Sequence, residues 1–138
     1  MNLTSFRICS KMPEKPKILV VDDDTSTLEI ILMVLANAGY TVVIDSKAEL
    51  NFLKDGSPPD LILLDNNLGD RTGVEICKEL KQLEKTMHIP VIMVSAMEEV
   101  SKLASDACAD DYLSKPFGIQ PLLLKIETLL KKNSARLG

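Results

Sequence analysis

The sequence predicts an α/β fold in which a five-stranded parallel sheet is covered on both faces by helices. Short apolar runs alternate with helical patterns along the chain, which is typical of βα units joined by right-handed crossovers. Two of these runs, Lys17–Val21 and Leu61–Asp65, each contain four consecutive aliphatic residues, as strands buried on both faces do. Both runs end in acid, at Asp22 and Asp23 and at Asp65. A chain of 138 residues has room for one such domain.

The N-terminal part of the chain predicts an extension, a strand and a helix. Residues 1–16 are polar, contain two prolines and show no periodicity, so we expect a flexible N-terminal extension. The first strand begins at Lys17. A helix is predicted over residues 26–38, because Ser26 and Glu29 match a capping box and a glycine follows as the C-terminal stop.

The middle of the chain predicts two strands and two helices. Residues 40–44 and 61–64 are strand patterns, and a short helix over 47–54 is ended by glycine and proline. Thr72 and Glu75 form a second capping-box pattern and start the third helix. The apolar residues expected on one side of that helix are Val74, Cys77, Leu80, Leu83 and Met87.

The C-terminal part of the chain completes five βα units. The fourth strand is predicted at PVIMVS, a weak helix at 99–107 and the fifth strand at 112–114. Pro121 suits the first turn of a last helix that runs to about Lys132. The folded domain is therefore expected over residues 17–132, with a tail at 133–138.

Two strand orders are compatible with this alternation. A dinucleotide-binding order requires a glycine-rich loop after the first strand, whereas this chain has DDDTST there. The flavodoxin-like order 2-1-3-4-5 is therefore preferred. In that order the first and third strands are neighbours, so their carboxyl ends bring Asp22 and Asp23 beside Asp65.

Three carboxylates in one small pocket require a cation to stay ionised together. Without one, the like charges repel each other and raise the pKa of one of the carboxyl groups. Magnesium prefers oxygen ligands and is typically bound by one or two carboxylates together with a phosphate. The sequence therefore predicts a Mg²⁺ site at Asp22, Asp23 and Asp65, and phosphoryl chemistry there.

The motifs VVDDD, LLDNNLGDRTG, VSA and DDYLSKPF occur in the order seen in response regulator receiver domains, which the chain resembles over residues 17–132. The resemblance implies that Asp65 is the phospho-acceptor and attacks phosphorus as a carboxylate nucleophile. It implies that Asp22 and Asp23 organise Mg²⁺, with Asp23 as a direct ligand and Asp22 acting partly through water. The backbone carbonyl of Asn67 is implied as a further metal ligand.

The same resemblance assigns roles to residues on the later strands. Lys115 supplies a cation and Ser95 a hydroxyl donor to the phosphoryl oxygens, and both act in catalysis. Ser95 and Tyr112 are the switch residues that change position on activation. The Lys115–Pro116 bond resembles the family's cis peptide. Met97 occupies the position that gates the hydrolytic water, so we expect slow autodephosphorylation.

Three positions depart from the family's usual pattern. Gly69 stands where proline often follows the acceptor loop, and Thr72 where an acid or small polar residue often precedes Gly73. We therefore expect a looser acceptor loop. Cys108 stands where a glycine usually closes the fourth helix, so the turn there is expected to be remodelled.

Composition excludes several functional classes. With 16 basic and 20 acidic side chains the formal charge is −4, which gives no electrostatic footprint for nucleic acid. No run approaches the ~20 apolar residues of a membrane span, and no signal peptide is recognisable, so we expect the chain to remain in the cytoplasm. The cysteines lack the spacing of a zinc site or disulfide framework and are interpreted as reduced thiols.

The interpretation is a stand-alone receiver that takes phosphate from a phosphohistidine on a sensor histidine kinase or phosphotransfer protein. It signals to a downstream target protein by a conformational change, without being an enzyme that acts on other substrates. The sequence does not distinguish this output from onward relay of the phosphate to another histidine. It is also compatible with a homodimer. Two alternatives are a haloacid-dehalogenase-like phosphatase, with Asp22 of the Asp22-x-Asp24 pattern as nucleophile, and a degenerate receiver acting only as a binding module.

Overall fold

The computed structural model describes residues 15–96, 102 and 109–137 as a parallel sheet between layers of helices. The strands are β1 Lys17–Val21, β2 Thr41–Asp45, β3 Leu61–Asp65, β4 Asn67–Leu68, β5 Arg71–Thr72, β6 Val91–Ala96 and β7 Asp111–Lys115. The helices whose ends lie within the described residues are α1 Thr25–Asn37, α2 Phe52–Asp55, α3 Gly73–Gln82 and α4 Ile119–Leu137. None of the described helices combines the length and the apolar character that crossing a lipid bilayer requires.

The main sheet has five parallel strands in the order β2-β1-β3-β6-β7. This confirms the predicted order 2-1-3-4-5, because β4 and β5 form a separate two-stranded antiparallel hairpin. That hairpin was not predicted from the sequence. It follows β3 directly, and Asn67 pairs with Thr72 across it.

The core has two layers, one on each face of the sheet, because alternate residues of a strand point to opposite faces. Leu19 of β1 and Leu64 of β3 pack in the layer of α3, whereas Ile18 and Leu63 pack in the layer of α1 and α4. All five residues of β3 are buried. The continuous apolar runs are therefore explained by helices on both faces.

The first helix begins at Thr25, with Asp24 as its N-cap residue in an extended conformation. The predicted capping box at Ser26 and Glu29 is therefore wrong. Asp24 takes the cap position because its backbone N–H binds the Asp22 carboxylate at 2.9 Å and its carbonyl accepts the Leu28 N–H at 3.0 Å. The helix start is thus set by an acid of the candidate site.

The predicted helix over 47–54 is wrong in extent, since α2 covers only one turn. The Asp45 carboxylate accepts the backbone N–H groups of Glu49 at 3.0 Å and Leu50 at 2.8 Å. Ala48 and Leu50 have positive φ angles of 54° and 50°. Residues in this left-handed conformation cannot belong to an α-helix, so the local acceptor competes successfully with helix formation.

Three predicted boundaries also shift. Strand β2 covers Thr41–Asp45, and β7 extends to both sides of residues 112–114. Helix α4 continues to Leu137, past the predicted end near Lys132. The predicted helix at 99–107 lies mostly outside the described residues, as do Cys9, Met97 and Cys108.

Helix α3 ends at Gln82, because its C-cap residue Leu83 has an extended backbone. Cys77 and Leu80 are buried as expected. Leu83 and Met87 lie beyond the helix and are 45% and 54% exposed, so their predicted place on one side of the helix with Cys77 and Leu80 is wrong.

The capping box at the start of α3 is present in full. The Thr72 hydroxyl oxygen accepts the Glu75 N–H at 3.2 Å, and the Glu75 carboxylate accepts the Thr72 N–H at 2.9 Å. We predict that Thr72→Ala lowers the free energy of unfolding by about 1 kcal/mol, measured by urea denaturation, because it removes this acceptor. Thr72→Ser keeps the hydroxyl and is the control. Equal stability of the two variants would contradict the role of the cap.

Candidate functional site

The carboxyl ends of β1, β3, β6 and β7 surround a cavity of about 820 Å³. A smaller cavity, about 350 Å³, lies between β2 and α2 and contains none of the predicted site residues. The large cavity brings together six of the seven residues assigned to the site, namely Asp22, Asp23, Asp65, Asn67, Ser95 and Lys115.

The three acids meet because β1 and β3 are neighbouring parallel strands, with Val21 paired to Leu64. Asp22 and Asp65 are buried, at 3% and 6% exposure, whereas Asp23 is exposed. One carboxylate oxygen from each acid lies within 4.8 Å of the others. The strand register therefore places Asp22 beside Asp65, and Asp23 follows Asp22 in the adjoining loop.

Lys115 bridges the two buried carboxylates. Its Nζ lies 2.9 Å from Asp65 Oδ1 and 3.1 Å from Asp22 Oδ2. The other oxygen of Asp65 accepts the backbone N–H of Asn67 at 3.0 Å, and the other oxygen of Asp22 accepts that of Asp24 at 2.9 Å. Both buried carboxylates are thus held in fixed orientations at the floor of the cavity.

Burial is the main cause that raises the pKa of Asp65 above its usual value, and the negative charge of Asp22 adds to it. The hydrogen bond from Lys115 acts in the opposite direction. Burial lowers the pKa of Lys115, but its hydrogen bonds to Asp65 and Asp22 outweigh burial, so the pKa is raised. Two buried acids therefore share one ammonium, and the exposed Asp23 adds to the negative charge at the mouth of the cavity.

The donor set fits a hard divalent cation. Among the described residues, Asp22, Asp23 and Asp65 are the acidic, histidine or cysteine side chains that lie close enough in a group of three to share an ion. Carboxylate oxygens are the ligands that Mg²⁺ prefers. The backbone N–H of Asn67 donates a hydrogen bond to the Asp65 carboxylate. The metal-binding role of the Asn67 carbonyl stays a prediction.

Ser95 and Lys115 reach the cavity from the two remaining strands. Ser95 is buried near the end of β6 and pairs with Ser114 of β7, while Ala96 pairs with Lys115. This register places the hydroxyl and the ammonium on adjacent strand ends beside Asp65. The Lys115–Pro116 peptide bond is cis, as predicted.

Tyr112 does not line the cavity. Its side chain is 44% exposed, and the Nζ of Lys125 on α4 lies 5.6 Å from its ring centroid. Lys125 also lies 3.2 Å from Asp111. The described structure therefore places this predicted switch residue against α4 and away from the acidic cluster. Met97, the predicted gate, lies outside the described residues.

Sequence reasoning missed two residues at the base of the acceptor loop. Asn66 lines the cavity, and its side-chain oxygen accepts the Val74 N–H of α3 at 3.1 Å. Gly73 is buried against the backbone of Asp65 and Asn66. No local pattern marks an asparagine that caps a helix starting seven residues further along the chain, although the glycine at the start of that helix was a visible signal.

Comparison with known proteins agrees with this geometry. The sequence model described as response regulator receiver domain matches residues 18–127. The DNA-binding dual master transcriptional regulator RpaA of Synechocystis is 35% identical over 124 residues, covering 85% of this chain and 50% of its own. The alkaline phosphatase synthesis transcriptional regulatory protein PhoP of Bacillus subtilis is 38% identical over 120 residues, covering 85% and 49%. The chain spans about half the length of these curated relatives.

Among solved structures, the CheY-like response regulator receiver domain protein of Methanospirillum hungatei superposes with a TM-score of 0.75. It is 31% identical, and the match covers 88% of this chain and 98% of that one. The flavodoxin-like fold predicted from the strand order therefore has solved counterparts over nearly the whole described domain.

Proposed function

The chain belongs to the response regulator receiver domain family of two-component signalling, and from this premise we propose that Asp65 accepts a phosphoryl group with Mg²⁺ bound beside it. The observation that carries the proposal is the environment of the Asp65 carboxylate. It lies at the floor of an open cavity, between the Lys115 ammonium and the Asn67 N–H, next to Asp22 and Asp23.

In the proposed reaction an Asp65 carboxylate oxygen forms a bond to phosphorus, while the phosphorus–nitrogen bond of a phosphohistidine breaks and the imidazole nitrogen leaves. Asp65 is buried and held by two donors, so it is already oriented for attack. Lys115 and Ser95 are placed to stabilise negative charge on the phosphoryl oxygens. Bound Mg²⁺ would neutralise charge on the phosphoryl group and the acids, and Asp22, Asp23 and Asp65 would hold it.

The donor proposed is a sensor histidine kinase or a histidine phosphotransfer protein, and the signal is a change of conformation read by a downstream protein. Ser95 and Tyr112 are the proposed switch residues, since one reaches the cavity and the other lies against α4. The stand-alone form and the cytoplasmic location stay predictions. A homodimer stays one possibility, and the choice between output and relay stays open. Family membership disfavours a haloacid-dehalogenase-like phosphatase. Asp24, the second acid of that motif, occupies the N-cap position of α1.

Incubation with acetyl phosphate and Mg²⁺, followed by peptide mapping with mass spectrometry, tests the proposal. We expect one phosphoryl group on Asp65 in the parent protein and none in Asp65→Asn, because an amide is not a nucleophile here. Asp60→Asn is the matched control, since Asp60 is an exposed acid at the opposite end of β3 that binds the Lys17 N–H. Full labelling of Asp65→Asn would refute the assignment. An unlabelled parent that still binds Mg²⁺ would favour a binding module.

A further inference from the structure

Asn66 joins three elements of the fold at one point. Its backbone N–H donates to the Val94 carbonyl of β6 at 3.1 Å, which extends the sheet by one hydrogen bond beyond Asp65. Its carbonyl accepts the Gly73 N–H at 2.9 Å, and its side-chain Oδ1 accepts the Val74 N–H at 3.1 Å. A residue at the end of a strand thus binds the start of a helix.

These contacts complete the N-terminus of α3. The first N–H groups of a helix have no partner within the helix and need acceptors from outside it. Asn66 supplies acceptors to Gly73 and Val74, and Thr72 supplies the acceptor to Glu75. Two of these three acceptors therefore come from a residue that lies before the intervening loop.

The loop that Asn66 closes carries residues of the site. Residues 67–72 form the β4–β5 hairpin, in which Asn67 pairs with Thr72. Asn67 is attached directly to Asn66, and its backbone N–H binds Asp65 Oδ2 at 3.0 Å. The orientation of the Asn67 peptide and of the Asp65 carboxylate therefore depends on the base of the hairpin.

We propose that Asn66 is a positioning residue for the acidic site. Its side-chain amide fixes the base of the hairpin, and through Asn67 it fixes the orientation of Asp65 toward a bound cation and a phosphoryl donor. The proposal rests on the proposed function, because it names a residue that supports the same site. Groups that orient the ligands of a metal typically affect metal affinity by roughly 10–100-fold.

The test uses Mg²⁺ titration by calorimetry, amide hydrogen exchange and the rate of acetyl phosphate labelling. Asn66→Leu is similar in shape and lacks the acceptor, whereas Asn66→Asp retains an oxygen at the same position. We expect Asn66→Leu to weaken Mg²⁺ binding about 10-fold, to accelerate exchange of the Val74 amide and to slow labelling. Asn66→Asp should restore protection of Val74 and bind Mg²⁺ at least as tightly as the parent. Asn66→Ala replaces the leucine variant if the latter does not fold.

Glu75→Ala is the control for a purely structural effect, because it removes the acceptor of the Thr72 N–H at the same helix end and leaves all three hydrogen bonds of Asn66 in place. It should lower stability and leave Mg²⁺ affinity unchanged. The role of Asn66 would be overturned if Asn66→Leu bound Mg²⁺ within twofold of the parent affinity. It would also be overturned if Glu75→Ala lost as much Mg²⁺ affinity as Asn66→Leu. A parent protein that binds no Mg²⁺ would instead overturn the proposed function itself, so the two failures are distinguishable.

Discussion

Gly73→Ala is expected to lower the free energy of unfolding by about 3 kcal/mol, at the upper end of typical overpacking costs. A Cβ at this buried position would overlap the carbonyl oxygen of Asp65 and lie 2.9 Å from the Cα of Asn66. Both are backbone atoms, so no side chain can rotate to relieve the contact. The last residue of β3 or the start of α3 must move. Movement of β3 displaces the Asp65 carboxylate directly, and movement of α3 disturbs the hydrogen bond between Gly73 and Asn66 beside it.

The same substitution should slow acetyl phosphate labelling by about 100-fold, since a displacement near 1 Å of a reacting group has effects of that order. Gly69→Ala is the matched control. Gly69 has a positive φ of 81°, but its Cβ would meet no atom within 4 Å. Gly69→Ala should therefore lower the free energy of unfolding by about 1–2 kcal/mol, from backbone strain alone. Stability and labelling are measured by urea denaturation and mass spectrometry, and parent-like values for Gly73→Ala would refute the close contact.

Lys115→Met is expected to destabilise the metal-free protein at pH 7 by about 2 kcal/mol. Removing one partner of a buried ion pair typically costs roughly 3–5 kcal/mol, because the remaining charge is left without compensation. The loss is smaller here because solvent screens the Lys115 side chain, which is 30% exposed, whereas Asp22 and Asp65 are nearly buried. Labelling should fall in the same variant, since Lys115 is proposed to stabilise the phosphoryl oxygens.

The loss in Lys115→Met should grow with pH. The pKa of Asp65 in the folded protein is raised above its unfolded value near 3.9, so the folded protein keeps the Asp65 carboxyl protonated to a higher pH than the unfolded chain does. The free energy of unfolding therefore falls as the pH rises from the unfolded to the folded pKa of Asp65. Without Lys115 the pKa of Asp65 rises further and the window extends upward. Because the pKa of Lys115 is raised, its contribution to the stability of the parent protein is fully present below pH ~10.4, the ordinary pKa of lysine. The difference between variant and parent should therefore be smallest near pH 4.

Magnesium should restore much of this lost stability, because a cation replaces the missing ammonium. A ligand at 100 times its dissociation constant adds about 2.7 kcal/mol. We expect a larger Mg²⁺-induced rise in unfolding free energy for Lys115→Met than for the parent. Lys125→Met is the control, since Lys125 pairs with the partly exposed Asp111 and should contribute less than about 1 kcal/mol. Equal effects of the two variants at pH 7 would contradict a special role for Lys115.

The candidate site was accessible from the sequence because its main residues sit at the ends of recognisable strands. Asp22, Asp23 and Asp65 follow apolar runs, and parallel neighbours bring their carboxyl ends together, so strand order alone predicts the cluster. Ser95 and Lys115 were assigned through the family resemblance and line the same cavity. Tyr112 is a surface residue on β7, and its contact with Lys125 depends on how α4 packs.

Local competition for backbone hydrogen bonds explains the errors in element boundaries. Asp45 binds two backbone N–H groups and shortens the second helix to one turn, and Asp22 binds the Asp24 N–H and moves the start of α1. In both places a side-chain acceptor overrides a pattern that satisfies helix propensity. Such contacts leave no periodic signal in the sequence.

Periodicity and strand-end chemistry by themselves determined the α/β class, the strand order and the acidic cluster, because burial on both faces of a sheet imposes a continuous apolar pattern. Only the tertiary structure decided how the acceptor loop is held. The contacts of Asn66 with Val94, Gly73 and Val74 join three elements that are separated along the chain. Gly73 must lack a side chain because the backbone of Asp65 lies against it. These requirements arise from distances between elements, and a linear sequence carries no pattern for them.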